Sequence, residues 1–364
     1  MRSRIASSRS WSNGSGRFAR SPRPRDAART LRPENRLSER HANGKPVTSL
    51  VRSLVGPVSR TGLRAPADGR AGIREASLNQ PAVFSPTRFF AITFLVTWGC
   101  WFAAPHLGDA EAGDGTFVLL MLAGLLTPFA TALHLTLTSR SGAMKSAFFE
   151  KLLDVRLIRP GILALFLLLF PASMVVSILV STAFGLSLDQ FALADGFSFS
   201  VGSVPTFLLL ILAACFEELG WRGYGVESLG GRRSYFAATA IFGVLWSLWH
   251  LPMFFIPGSY QAELLEKDLL LALNFFVGIV PLAFIISWFC KKNGGSILGA
   301  VLVHAIVNFT QEFLQVSPWT KVIQTGVLVV MAAAFVMADP EVFFGASEGP
   351  ERIAEVAGPK GLPR

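Results

Sequence analysis

Between Phe89 and Ala338 the chain is a succession of eight long stretches that contain no Asp, Glu, Lys or Arg. They cover residues 89–107, 116–139, 160–188, 196–216, 234–262, 269–290, 293–311 and 322–338. A helix needs about 20 residues to cross roughly 30 Å of hydrocarbon, and most of these stretches reach that length. The last is the shortest, with Trp319 just ahead of it as an interfacial anchor. Backbone amides find no water in lipid, so a spanning segment must be a helix or part of a closed barrel. These runs are too long for barrel strands and do not alternate in polarity. The expected fold is therefore all-α, a polytopic helical membrane protein of about eight transmembrane helices with a polar site buried among them. Composition agrees: 16% of residues are charged, against about 25% in an ordinary soluble domain.

Charge orients the spans. The connection over 140–159 carries Arg140, Lys145, Lys151, Arg156 and Arg159 against Glu150 and Asp154. Arg232 and Arg233 follow the fourth run, and Lys291 and Lys292 the sixth. The intervening connections are acidic, with Asp109, Glu111 and Asp114, then Asp189 and Asp195, then Glu263, Glu266 and Asp268 beside Lys267. Basic loops stay in the cytoplasm. The alternation predicts eight spans, both termini cytoplasmic, and the plasma membrane as the bilayer.

The ends are different in kind. Residues 1–80 hold 17 basic residues, all but Lys45 arginine, against five acids, a local charge of +12. The whole chain carries +9, which leaves −3 for the remainder. Such a segment buries too little apolar surface to offset its ordering entropy. A disordered tail drawn to anionic lipid, a targeting segment and a misplaced start all fit it. Nucleic-acid binding is not expected, since no folded module accompanies the charge. Residues 81–340 form the membrane domain, and 341–364 a short acidic tail. Cys100, Cys215 and Cys290 lie in apolar runs without metal-site spacing and read as packing residues.

Three polar islands interrupt the apolar runs. The first holds Glu217, Glu218 and Arg222; the second is Trp246-Ser-Leu-Trp-His250; the third is His304-Ala-Ile-Val-Asn308. An ionisable group at the bilayer centre costs about 2.5–3.5 kcal/mol on insertion scales, so it marks function by default. Glu218 and Arg222 are four apart and predict an ion pair on one helical face. Glu217 points about 100° away, toward Trp221 at its own i+4, and is left to face a cavity. His304 and Asn308 present an imidazole and an amide side by side. The alternative is a polar cluster that only staples helices together. His106 and His134 lack such company.

Glu217-Glu218-x-x-x-Arg222, an aromatic-x-x-x-His250 and His304-x-x-x-Asn308, in this order on successive helices, resemble the CPBP family of CAAX proteases and bacteriocin-processing (Abi) enzymes. The likeness covers about 200–315, flanking Gly220-Trp221-Arg222-Gly223-Tyr224 and His250-Leu251-Pro252 included. Trp246 stands where the family's second motif usually has Phe, a conservative aromatic change. The resemblance implies an intramembrane endopeptidase, one that in eukaryotes removes the last three residues of prenylated CAAX proteins. It implies that Glu217 activates water, that His250 assists, and that His304 and Asn308 steady the oxyanion. There is no HExxH zinc signature. Glu217, His250 and His304 could hold zinc or hold a water directly, and both mechanisms stay open.

The expected partners are a peptide or membrane-protein substrate and the lipid bilayer; spacing says nothing of oligomeric state. Two readings without peptide hydrolysis stand beside this one. The first is a non-catalytic protein of the same fold that confers immunity to a peptide toxin or scaffolds a partner. The second is a transporter with Glu217 as proton relay, disfavoured by the absence of internal repeats.

Overall fold

The computed structural model describes residues 83–109, 114–194, 206–231 and 233–345. The basic extension, Glu111, Asp195, Arg232 and the tail beyond 345 lie outside the described residues. Within them there is no strand, only one antiparallel bridge between Leu193 and Leu314.

The elements follow the apolar runs. Helices α1 (Pro86–Leu107) and α2 (Gly115–Thr138) pack together as an antiparallel pair. Asp114 caps α2 by accepting from the Thr116 amide at 2.8 Å. A short helix, α3 (Gly142–Leu153), occupies the basic connection and leads to α4 (Pro160–Thr182). Helix α5 (Thr206–Gly220) passes through one π-helical stretch, Trp221–Gly225, into α6 (Val226–Gly230). Then come α7 (Tyr235–Trp249), a 3₁₀ turn over Leu251–Phe255, and α8 (Tyr260–Lys267). The chain continues as α9 (Leu269–Lys292), α10 (Ile297–Glu312), α11 (Pro318–Ala338) and α12 (Pro340–Phe344).

Each of the eight apolar runs contains helix among its described residues, but they are not equivalent. Among the described residues six helices are long and apolar enough to cross a membrane: α1, α2, α4, α7 with its 3₁₀ turn, α9 and α11. The two that fall short are α5 and α10. Charge interrupts the first at Glu217 and Glu218, and α10 has only 16 residues. These two carry four of the six candidate site residues, Glu217, Glu218, His304 and Asn308. Length and apolarity alone therefore single out six spans among the described residues, short of the expected eight. The chain is an integral, multi-pass membrane protein.

Contacts sort the helix ends into two sets. At one end Glu227 pairs with Lys291 at 3.2 Å and Lys151 at 3.9 Å. Lys292 pairs there with Asp339 at 2.7 Å, and Asn293 accepts from the Arg159 amide at 2.7 Å. At the other end Gln190 accepts from the Ser317 amide at 3.0 Å, and Lys321 lies over the Tyr260 ring at 4.6 Å. The first end gathers the basic connections and the second the acidic ones. Helix α12, at residues 340–344, packs against the helices before it. Phe343 of α12 is fully buried and stacks on Tyr235 at 6.0 Å.

Helix α5 lies between α2 and α10. Its approach to α2 depends on Gly220, where a Cβ would sit 2.5 Å from the Pro128 carbonyl carbon. Pro128 in turn lacks an amide hydrogen for its own helix. The close contact fixes the height of the Glu217–Glu218 pair against α2, one turn before Gly220.

Candidate active site

Glu218 is the fully buried centre of an ionic triad. Its Oε1 accepts from Arg222 Nη1 at 3.0 Å and from His304 Nδ1 at 2.9 Å, and its Oε2 lies 2.9 Å from Arg222 Nη1. The Glu218–Arg222 pair matches the i, i+4 expectation. The His304 bond does not follow from spacing, which gives Glu218 only its Arg222 partner. Instead α10 is tied to α5 through the second glutamate. Arg222 Nε and Nη2 are buried without hydrogen-bond partners among the described residues. The guanidinium instead lies 4.8 Å from the Phe242 ring centre and 5.4 Å from that of Trp246, where ring quadrupoles partly offset its lost hydration.

Glu217 is held differently. Two indoles converge on its Oε2: Trp246 Nε1 at 2.6 Å and Trp221 Nε1 at 3.3 Å. The Trp221 contact is the predicted i+4 partner. Indole N–H groups only donate, so together they fix the rotamer of the carboxyl group. Oε1 is left for water. Glu217 lines a cavity of about 280 Å³, and so do His250, His304 and Asn308.

The two histidines share one arrangement. His250 Nδ1 lies 2.9 Å from the Trp246 carbonyl, which can only accept, so Nδ1 carries the proton. His304 Nδ1 faces a carboxylate oxygen and carries a proton for the same reason. Each imidazole is thus oriented through Nδ1, with Nε2 free for the cavity. Asn308 spends one amide hydrogen on the Leu210 carbonyl at 3.2 Å and keeps the other.

Trp246 joins these parts, and sequence reasoning missed it. Its N–H reaches Glu217, its ring covers Arg222, its carbonyl takes His250, and its ring meets His304 edge-on at 5.4 Å. The change from Phe is therefore not merely conservative, because a phenyl ring offers Glu217 no donor. The signal was present in the tryptophan itself, whose buried N–H needs a partner. The π-helical stretch directly after the glutamates is the second feature missed. Such bulges gather at functional sites, and this one places Trp221 and Arg222 beside the carboxylates.

Among the described residues no three His, Cys, Asp or Glu side chains converge as a metal-holding set. Of the three zinc candidates, Glu217 has one oxygen committed to two indoles, while His250 and His304 are each held through Nδ1. Cys100, Cys215 and Cys290 are free and do not line the cavity.

Comparison with known proteins bears on the whole arrangement. A family model described as type II CAAX prenyl endopeptidase, Rce1-like, matches residues 200–310, which include all six candidate residues. The chain is 28% identical over 190 residues to lysostaphin resistance protein A of Staphylococcus haemolyticus, across 52% of this chain and 48% of that protein. It is 42% identical over 261 residues to CAAX prenyl protease 2 of Methanococcus maripaludis, across 72% of this chain and 96% of that protein. Similarity of that extent, reaching far beyond the three motifs into the surrounding helices, places this chain in the CAAX prenyl endopeptidase family as an intramembrane protease.

Proposed function

We propose that the chain hydrolyses a peptide bond within the membrane by a glutamate-activated water, without a metal step. The observation that carries this reading is the division of labour between adjacent carboxylates. Glu218 is buried and paired with both Arg222 and His304, whereas Glu217 is clamped through one oxygen and faces the cavity.

In this mechanism a water bound between Glu217 Oε1 and His250 Nε2 attacks the scissile carbonyl carbon. Glu217 takes the water's proton as the C–O bond forms, the role of a general base. The oxyanion accepts from the second amide hydrogen of Asn308 and from Nε2–H of an imidazolium His304, whose Nδ1–H Glu218 accepts. The proton then passes from Glu217 to the leaving nitrogen, and the C–N bond breaks. The products are a new carboxylate and a free amine. His250 and Glu217 orient the water, while Trp246 keeps both in place.

The name of the Methanococcus maripaludis relative suggests a lipid-modified C-terminal peptide as substrate. Leu125, Leu209 and Phe170 on the cavity wall suit an apolar portion of such a chain. The charge asymmetry of the helix ends supports placing both termini and the basic end on the cytoplasmic face of the plasma membrane, with the cavity's polar rim at the opposite end. The test is mass spectrometry of a membrane-anchored peptide incubated with purified protein in proteoliposomes. Two fragments with a new C-terminal carboxylate are expected; a substrate panel left intact would favour the non-catalytic immunity reading.

A further inference from the structure

Helix α9 contributes one hydrogen-bonding side chain to the cavity wall, Asn274, among Leu271, Phe275, Gly278, Ile279 and Leu282. Amide side chains in membrane helices commonly join neighbouring helices, and the cavity amides of α10 and α11 do so. Asn308 donates to the Leu210 carbonyl at 3.2 Å, Gln311 to Gln324 at 2.8 Å, and Gln324 to Ser173 at 3.3 Å. Asn274 has no hydrogen-bond partner among the described residues, although the residues after it are anchored. The Phe275 ring meets His250 edge-on at 5.4 Å and Phe254 at 5.5 Å, and the Phe276 carbonyl accepts from Ser247 Oγ at 2.9 Å. These contacts set Asn274 at the height of His250, with its carboxamide on the cavity.

We infer that the Asn274 carboxamide pairs with the backbone of the substrate beside the scissile bond, a reading that rests on the endopeptidase function above. An amide side chain accepts through Oδ1 and donates through Nδ2. It can therefore take the N–H and the C=O of an extended peptide, as an adjoining strand does. A peptide drawn into an apolar cavity needs such partners, because unpaired backbone groups are costly away from water. The rest of the α9 lining is apolar and its side chains offer none. A helical substrate has already used these groups internally, so Asn274 favours a chain that lies extended. Adjacent α-carbons are about 3.8 Å apart and an extended residue spans about 3.3 Å, which puts the contact within about four residues of the scissile bond. Asn274 binds and orients the chain, and the proton transfers stay with Glu217.

The experiment measures kcat/KM for one membrane-anchored peptide and for versions N-methylated singly at the residues flanking the cut, the scissile nitrogen excepted. Each is assayed in proteoliposomes with wild-type protein and with Asn274→Leu, which keeps the size of the side chain and removes both hydrogen-bonding groups. At one position N-methylation is expected to slow wild type about five- to tenfold, the scale of one hydrogen bond, and to slow Asn274→Leu much less. The unmodified peptide should lose about the same factor in the variant. The thermal unfolding midpoint should not fall, since no hydrogen bond within the protein is removed. Leucine is as bulky as asparagine, so a purely steric effect of the methyl group persists in the variant. Equal N-methyl effects in the two proteins at every position therefore overturn the pairing. A lowered unfolding midpoint with equal losses on every peptide overturns it in favour of a structural role. Wild-type protein that cuts none of the peptides, the unmodified one included, overturns the endopeptidase reading itself.

Discussion

The indole N–H of Trp246 donates to Glu217 Oε2 at 2.6 Å while the carbonyl of the same residue holds His250 Nδ1 at 2.9 Å. One residue thereby sets both the candidate base and its assisting histidine. Trp246→Phe keeps the ring against Phe242 and His304 but removes the donor. A hydrogen bond to a charged group contributes about 1.5–3 kcal/mol. The expected outcome is a fall in kcat of about ten- to a hundredfold with KM little changed, measured by steady-state cleavage in detergent. A purely structural role would instead lower thermal stability and leave the per-molecule rate of folded protein intact.

Arg222 is predicted to act on stability through its neighbours. Arg222→Met strands Glu218 in a fully buried position with His304 as its remaining partner. Breaking a buried pair on one side costs about 3–5 kcal/mol. Thermal unfolding in detergent should show a large drop, and Glu218→Gln in the same chain should recover part of it. Independent additive losses from the two changes would contradict the triad.

Gly220 is expected to tolerate no side chain. In Gly220→Ala the new Cβ meets the Pro128 backbone at 2.5–2.8 Å, and backbone cannot rotate away as a side chain would. Overpacking of this kind costs about 1–3 kcal/mol. Because Glu217 lies less than one turn away, activity should fall further than stability. Gly99, with open space where a Cβ would be, is the control, and its alanine variant should retain both.

The placement of the basic end in the cytoplasm is checked by labelling. With Cys100, Cys215 and Cys290 replaced by alanine, Gln261→Cys at the cavity rim should react with a membrane-impermeant maleimide on intact cells. Lys151→Cys at the basic end should react only after lysis. The reverse pattern would invert the orientation.

Much of this was legible in the sequence, and for physical reasons. The spans announce themselves because lipid forbids charge over about 20 residues. Glu217, Glu218, His250, His304 and Asn308 stand out because a polar side chain in such a run has a high cost unless it serves a purpose. The Glu218–Arg222 pair follows from helical period alone. What the sequence could not show depends on contacts between distant segments. His304 lies 86 positions from Glu218, and no period connects α10 to α5. Trp246 carries no charge, so its four contacts with Glu217, Arg222, His250 and His304 leave no mark on a hydropathy pattern. The shortfall of α5 and α10 as spans has the same origin, since the helices that hold the site are those that surrender apolar length to it.

The central claim is that Glu217 is the base and that no metal step is needed. It is tested most directly by single-turnover cleavage with purified protein, wild type and Glu217→Gln, each with and without a strong chelator. The account predicts that chelator leaves the wild-type rate unchanged, while Glu217→Gln loses at least about a hundredfold, in the range of general-base catalysis. Retained cleavage by Glu217→Gln, or a wild-type rate abolished by chelator and restored by zinc, would contradict it.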